Sequence, residues 1–252
     1  MFASPQSYWQ ASKAPRYSLV FALPLLALYE AMAALLSYRP GGGIRNGADV
    51  LLRDLFIAIA GRGGPLAFGL VLLGIGVWLI GRDMRAHGMA LRVSVFVRMF
   101  AESVGLALAF GFIVGGITAR LLGVWVVAVR APTALALSAV GPLNFQTRLM
   151  VSLGAGLYEE LFFRVLLVSV LAWGARAVVG ARPVVGGAVA SVAGALIFSA
   201  FHYVGPYGDR LALQSFVFRF IAGLAFSALY LLRGFGITAW THALYDVFLL
   251  IA

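Results

Sequence analysis

Residues 147–173 read TRLMVSLGAGLYEELFFRVLLVSVLAW, and this stretch decides the class of fold. Its apolar residues are continuous, and a helix needs about 20 mostly apolar residues to cross a bilayer. A lipid-embedded strand would instead alternate apolar and polar positions. Only helices and closed barrels satisfy their backbone hydrogen bonds inside lipid. The stretch therefore predicts a membrane-spanning α-helix.

The rest of the chain has the same character. Of its 252 residues, 62% are hydrophobic and 11% are charged, whereas a soluble domain carries about 25% charged residues. We therefore predict an all-α, polytopic transmembrane helical bundle of about seven spans, within a range of about six to eight. The predicted spans are 17–38, 65–81, 95–119, 147–173, 184–203, 211–232 and 235–252, with an amphipathic interfacial helix over 48–60.

The predicted helices fall into two segments of one integrated membrane domain. Residues 1–146 hold the N-terminal membrane helices and the interfacial helix, and residues 147–252 hold the core helices. The apolar stretch 121–129 is too short to cross comfortably, and Pro132 and Pro142 break the region after it. The N-terminus does not resemble a cleavable signal, because the first apolar run is long enough to span.

Charge and cysteine content restrict the partners. The net charge is +10 and the chain has no cysteine, which excludes disulfides, thiolate nucleophiles and cysteine metal sites. The arginines are scattered between apolar runs, which is typical of loops that contact anionic lipid headgroups and not of a nucleic-acid-binding face. We expect a multi-pass protein of a bacterial inner membrane, given the residue usage. Its orientation and oligomeric state stay open.

Charged residues inside a span are the functional candidates, because each costs about 2.5–3.5 kcal/mol at the bilayer centre. The span 147–173 contains Glu159, Glu160 and Arg164. In an α-helix Glu160 and Arg164 share a face and can pair, while Glu159 points about 100° away. Glu159 is thus free to act on another group, although a structural ion pair with one satisfied acid explains the segment as well.

Two histidines lie in later spans. His202 ends a stripe of small or aromatic residues at spacing four, which comprises Gly186, Ala190, Gly194 and Phe198. Such a stripe lets helices approach closely and would carry the imidazole into the bundle. His242 shares a helix face with Asp246, and a carboxylate beside a histidine fixes the imidazole's tautomer. Alternatively, His202 is an interfacial residue, and the His242–Asp246 pair only ties down the last helix. His87 lies in an arginine-rich loop and is predicted to be inert.

Together these motifs resemble one family. Glu-Glu-x-x-x-Arg, Phe-x-x-x-His and His-x-x-x-Asp stand on three successive predicted membrane helices between Thr147 and Ala252. This order is similar to that of the CPBP family, which comprises the type II CAAX prenyl endopeptidases and the bacteriocin-processing or immunity (Abi) proteins. The resemblance implies a glutamate intramembrane protease without a cofactor or a bound metal, acting on a membrane protein or peptide substrate.

The resemblance also implies roles for the residues. Glu159 and His202 would activate a water, and His242 and Asp246 would stabilise the oxyanion or position the scissile carbonyl. The supporting residues would be Glu160, Arg164 and Phe198. The last motif position is often Asn in eukaryotic members. An ionised Asp246 cannot donate a hydrogen bond to an oxyanion, so we expect it to orient His242.

Other functions remain open at this point. One glutamate and two histidines are also a zinc ligand set, although the His-Glu-x-x-His motif of many zinc proteases is absent. An aspartyl protease fits only Tyr245-Asp246, and no Gly-x-Ser-Gly motif of rhomboid proteases occurs. A non-enzymatic scaffold or immunity protein would use the same polar network to hold its helices together. A transporter is disfavoured because no internal repeat is visible.

Overall fold

The computed structural model describes residues 7–38, 43–123, 143–205 and 208–251. Within these ranges the chain is helical and has no β-strand, which confirms the predicted all-α class. The helices are α1 (Tyr8–Lys13), α2 (Pro15–Ser37), α3 (Gly47–Ala60), α4 (Gly64–His87), α5 (Val93–Leu121), α6 (Phe145–Gly154), a π-helix (Ala155–Leu167), α7 (Val168–Val179), α8 (Pro183–Phe201), α9 (Leu213–Arg233) and α10 (Phe235–Ile251).

Several of these helices, singly or as continuous helical runs, are long and apolar enough to cross a membrane. In the described part of the chain there are six such segments: Pro15–Ser37, Gly47–His87, Val93–Leu121, Phe145–Val178, Pro183–Phe201 and Leu213–Arg233. The shorter apolar helix α10 follows them. At 1.5 Å per residue it is about 26 Å long, close to the lower limit for a span. The predicted polytopic helical bundle is confirmed.

The helix predicted over 48–60 is present as α3, and α4 folds back on it. A Cβ atom on Gly64 would lie 2.4 Å from the backbone nitrogen of Ile57, so only glycine permits the close approach at this turn. The ring centroids of Phe56 and Phe68 are 5.4 Å apart, which packs the start of α4 against α3. Of the apolar stretch 121–129, residues 124–129 lie outside the described residues, as do both prolines that follow it.

The middle of the predicted span 147–173 is a π-helix and not an α-helix. Its hydrogen bonds run from residue i to residue i+5, so each turn holds more residues than a turn of α-helix. The α-helical estimate of about 100° between Glu159 and Glu160 therefore does not apply. Both glutamates are buried, with 7% and 0% of their surface exposed. Segments of this kind are uncommon and are often found at functional sites.

Helix α10 is central to the bundle and contacts α2, α5, α6 and the π-helix. Two glycines at the α6–π junction make this packing possible. A Cβ atom on Gly156 would lie 2.3 Å from the carbonyl oxygen of Ala239 in α10. A Cβ atom on Gly154 would lie 2.4 Å from the ring of Tyr29 in α2. The junction therefore brings α2 and α10 to the π-helix from two directions.

The end of the bundle where α2 begins is closed by a charge cluster. Both oxygens of Glu102 are bound by Arg233, with Nε–Oε1 and Nη2–Oε2 distances of 2.5 and 2.7 Å. The hydroxyl of Tyr8 also donates to Glu102 Oε2 at 2.5 Å. Burial and the neighbouring carboxylate raise the pKa of Tyr8 to about 12. His87 lies near this end too, where its Nδ1 is 2.9 Å from Asp83 Oδ1.

Candidate active site

Three elements bring ionisable side chains to one polar pocket. Glu159 comes from the π-helix, His202 follows the last residue of α8, and His242 comes from α10. Glu159 and His242 are buried, whereas 25% of the His202 side chain is exposed. Glu159 interacts electrostatically with both imidazoles. The carboxylate and the two histidines selected from the sequence therefore lie together.

His202 presents one ring nitrogen to Glu159. Its Nδ1 lies 2.8 Å from the carbonyl oxygen of Phe198. A carbonyl only accepts hydrogen bonds, so Nδ1 carries the proton and Nε2 has the free lone pair in a neutral ring. Nε2 is 4.0 Å from Glu159 Oε2, which is too far for a direct hydrogen bond. A polar gap of this width suits a bridging water.

The two oxygens of Glu159 differ in their surroundings. Oε1 accepts a hydrogen bond of 2.9 Å from the side-chain amide of Asn46. Oε2 is buried and has no hydrogen-bond partner among the described residues. A buried polar atom without a partner is costly and calls for an explanation such as a catalytic role or a bound water. One oxygen therefore fixes the carboxylate, and the other is available.

His242 is held by Glu160 and not primarily by Asp246. Its Nδ1 lies 2.7 Å from Glu160 Oε1, and Arg164 Nη1 lies 3.2 Å from the same oxygen. Asp246 Oδ2 is 3.8 Å from His242 Nε2, beyond hydrogen-bond distance. The orientation that the sequence assigns to Asp246 is thus made by Glu160 at the other ring nitrogen. The predicted Glu160–Arg164 pair is present.

Aromatic rings enclose this second part of the pocket. The guanidinium carbon of Arg164 lies 4.4 Å from the ring centroid of Phe198 and 5.4 Å from that of Phe226. The His242 ring stacks on Phe226 at a centroid distance of 4.3 Å. Cations over aromatic faces are attracted more strongly where water is excluded. Phe198, selected from the sequence as a supporting residue, therefore packs against Arg164 and also accepts from His202 through its carbonyl.

Asn46 is a site residue that the sequence reasoning missed. It is the N-cap of α3, where its Oδ1 accepts from the backbone N–H of Ala48 at 2.9 Å. Its side-chain nitrogen is then left to donate to Glu159, which lies 113 positions later in the chain. An asparagine before an apolar helical run is a recognisable capping signal. Its contact with Glu159 has no local signal in the sequence.

A charge network of α2 and α3 surrounds Asn46. The Tyr29 hydroxyl accepts from the Asn46 backbone N–H at 3.1 Å and donates to Asp49 at 2.8 Å. Arg45 binds both Asp49 and Glu30. Burial opposes the charge on Arg45, but its hydrogen bonds to these two carboxylates hold its pKa above the ordinary value. Further bonds to the network come from Arg53 and Tyr158.

Packing between helices follows the small residues of α8. The predicted stripe Gly186, Ala190, Gly194 and Phe198 is buried, and a Cβ atom on Gly194 would lie 2.7 Å from Val168 of α7. The stripe therefore lets α8 lie close to α7, which continues the π-helix that carries Glu159. A separate apolar cavity of about 510 Å³ lies between α2 and α4, and none of the pocket's ionisable residues lines it.

One family model matches the part of the chain that carries most of the pocket. Residues 142–248 match the family model described as type II CAAX prenyl endopeptidase Rce1-like. This segment is therefore similar to the Rce1-like family. The match covers the π-helix, both histidines of the pocket and Asp246. No curated protein and no solved structure matches the chain.

The match supports a function at the level of the family only. At the family level, an Rce1-like protein is a CAAX-type intramembrane protease, a hydrolase whose substrate is a membrane-associated peptide. The apolar helices agree with an integral, multi-pass membrane protein. The resemblance drawn from the three motifs is confirmed at this level. Asn46 and the charge network around it lie outside the matched segment.

Proposed function

We propose that this protein hydrolyses a peptide bond of a membrane-anchored or C-terminally tagged substrate, with a water activated by Glu159 and His202. One observation carries the proposal. Glu159 Oε2 is buried, has no hydrogen-bond partner among the described residues, and lies 4.0 Å from the unprotonated nitrogen of a neutral His202. A water placed beside both atoms can be hydrogen bonded to each, because the gap is shorter than two hydrogen bonds end to end.

The first half of the reaction is the attack of this water. Glu159 and His202 accept one of its protons while its oxygen forms a bond to the scissile carbonyl carbon. General-base catalysis of this kind contributes about 10²–10⁴-fold to a rate. The carbonyl π electrons move onto the oxygen, which gives a tetrahedral oxyanion.

The second half needs a donor for the oxyanion and a proton for the leaving amine. His242 lies between the carboxylates of Glu160 and Asp246, which favour its protonated form electrostatically. Its Nε2–H then donates to the oxyanion, while Nδ1–H stays bonded to Glu160. When the C–N bond breaks, the proton held by Glu159 and His202 passes to the amine nitrogen.

The pocket's setting restricts the substrate. The substrate's anchor and the enzyme's spans confine both to the bilayer, which raises their local concentration and fixes the direction of approach. We propose a bacterial inner membrane as the location, where a prenylated cysteine is not expected. The substrate is then a leader, an anchor or a C-terminal sorting tail. No cofactor and no nucleic acid takes part in the proposed reaction.

The experiment uses an inactive variant to find the substrate. Glu159→Gln keeps the hydrogen bond from Asn46 but cannot act as a base, so it should retain uncleaved precursors. Membranes expressing tagged Glu159→Gln are solubilised, and co-purified peptides are identified by mass spectrometry. A synthetic copy of an enriched precursor is then given to purified wild-type protein in lipid nanodiscs. The wild type should cleave it, and both Glu159→Gln and His202→Ala should not.

Matched controls separate chemistry from folding. Asp54→Asn removes an exposed carboxylate of α3, and His87→Ala removes the imidazole near the opposite end of the bundle. Both should cleave at the wild-type rate. Equal cleavage by Glu159→Gln, His202→Ala and the wild type would end the protease proposal and favour a scaffold. Loss of wild-type activity in a zinc chelator, with recovery on adding Zn²⁺, would replace this mechanism by a metal-dependent one.

A further inference from the structure

We infer that Asn46 is a positioning residue of the active site, contributed by a part of the chain outside the Rce1-like segment. This inference rests on the proposed function, because it assigns Asn46 the task of aiming Glu159. The Asn46 amide nitrogen donates to Glu159 Oε1 at 2.9 Å, and the asparagine is 3% exposed. With Oε1 occupied, Oε2 is the oxygen that faces His202.

Several contacts hold Asn46 in one orientation. Its side-chain oxygen accepts from the Ala48 backbone, and its own backbone N–H donates to Tyr29. The amide plane is therefore fixed from two sides, and the remaining N–H group has one direction. Gly154 makes room for this contact, since a Cβ atom there would lie 2.8 Å from Asn46 Cβ and 2.4 Å from the Tyr29 ring. A positioning group of this kind needs a rigid support.

Asn46 differs from the other capping asparagine near the same helices. Asn144 is the N-cap of α6, where its side-chain oxygen accepts from Thr147 at 2.8 Å. Both asparagines therefore perform the same capping task with the same type of bond. Of these two asparagines, Asn46 is the one whose side chain contacts a carboxylate of the pocket. If capping were its whole function, serine or aspartate would replace either asparagine at little cost.

The chemistry of an amide donor suits the role. A neutral N–H group binds a carboxylate without neutralising it, whereas an arginine in the same place would compete with the reacting water for the charge. The charged or titratable groups that interact with Glu159 are His202, His242, Arg164 and Asp246. None of them donates a hydrogen bond to Oε1 in the structure, so Asn46 alone among the described residues fixes that oxygen.

The test compares Asn46→Asp with Asn144→Asp. Both variants keep a capping oxygen, but Asn46→Asp replaces the donor to Glu159 by a second carboxyl group. Two adjacent carboxyl groups resist ionising together. We expect kcat on a quenched fluorogenic peptide, built from a precursor bound by Glu159→Gln, to fall about 100-fold at neutral pH. The acid limb of kcat/KM should move up by roughly one pH unit, with little change in KM. Asn144→Asp should match the wild type.

A second variant and a second measurement keep the test decisive. Asn46→Ser retains the cap but is too short to reach Glu159, and it should lower kcat about tenfold with a near-normal melting temperature. Infrared titration of the carboxyl band follows the protonation of Glu159 without any substrate. For each protein, the titration of the same protein carrying Glu159→Gln is subtracted. The resulting titration should change in Asn46→Asp and not in Asn144→Asp.

The two proposals fail in different ways. If Glu159→Gln cleaves like the wild type, the protease mechanism is wrong, whatever Asn46 does. If Glu159→Gln is inactive but Asn46→Asp, Asn46→Ser and Asn144→Asp all keep wild-type kcat and pH profiles, only the role of Asn46 is overturned. An infrared titration of Asn46→Asp identical to that of the wild type would also overturn it.

Discussion

Two glutamates of this bundle, the half-buried Glu102 and the buried Glu159, have opposite surroundings. Glu102 is held by a guanidinium at both oxygens and by a tyrosine hydroxyl at one of them. Glu159 receives one hydrogen bond, from a neutral amide at Oε1, and its Oε2 has no partner among the described residues. Hydropathy alone cannot separate the two, since both are acids inside apolar helices.

On the proposed function, the difference separates an acid that stabilises the fold from one that performs chemistry. Both oxygens of Glu102 accept hydrogen bonds from side chains, so its removal should cost stability and leave the pocket intact. Glu159 is oriented but left incompletely bonded, which is unfavourable in a fold and useful in a base. On the proposed function, the hydrogen-bond partners of each carboxylate therefore separate the roles of Glu102 and Glu159.

The largest effect should come from exchanging each glutamate for glutamine. Glu159→Gln should lower kcat on a peptide substrate by about 10²–10⁴-fold at a near-normal melting temperature. Glu102→Gln should keep kcat and lose about 2 kcal/mol of stability, because a charged hydrogen-bond acceptor is removed. Steady-state kinetics and thermal unfolding in detergent measure both. The comparison breaks down if Glu102→Gln abolishes turnover in protein that is still folded.

A smaller effect is expected at Gly156, whose lack of a side chain allows α10 to pack against the π-helix. In Gly156→Ala the new methyl group meets Ala239 and Ala243 of α10, which moves His242 away from Glu160. We expect about 100-fold lower kcat and about 1–3 kcal/mol lower stability. Gly174→Ala in α7 is the matched control, because a Cβ atom there has open space. If both variants behave alike, the π-helix and α10 are not held by this close contact.

The next largest effects on kcat are expected at the two carboxylates beside His242. Glu160 is fully buried and 2.7 Å from Nδ1, whereas Asp246 is 3.8 Å from Nε2 with 29% of its side chain exposed. Glu160→Gln should therefore lower kcat about 100-fold and Asp246→Asn about tenfold or less. Parallel kinetics on the two variants give the ratio. The reverse order would make Asp246 the residue that holds His242.

The smallest effect concerns Tyr8, which donates to Glu102. A tyrosine whose folded-state pKa is raised from 10 to about 12 contributes stability that is complete below pH 10 and is lost as the pH rises towards 12. Tyr8→Phe should be slightly less stable than the wild type at neutral pH. The two melting temperatures should converge between pH 10 and 12, with kcat unchanged. A constant difference in melting temperature between pH 10 and 12 would contradict the raised pKa of Tyr8.

The sequence identifies the residues whose polarity is opposite to that of the apolar helices around them. Glu159, His202 and His242 are predictable because ionisable groups are costly in apolar helices, and three motifs in order identify the family. The π-helix was not predictable, since the hydrophobic pattern does not distinguish i+4 from i+5 hydrogen bonding over a short stretch. Asn46 was missed because its partner is distant in sequence and lies across a helix junction.

The shape of the α6–π junction has a consequence for protein engineering. At Gly154 the Rce1-like segment has a notch that receives the Tyr29 ring and the Asn46 side chain from the preceding helices. The two halves are therefore matched parts. A chimaera that joins residues 142–248 to a different N-terminal half should assemble a working enzyme only if that half carries an aromatic ring and an amide side chain that fit the same notch.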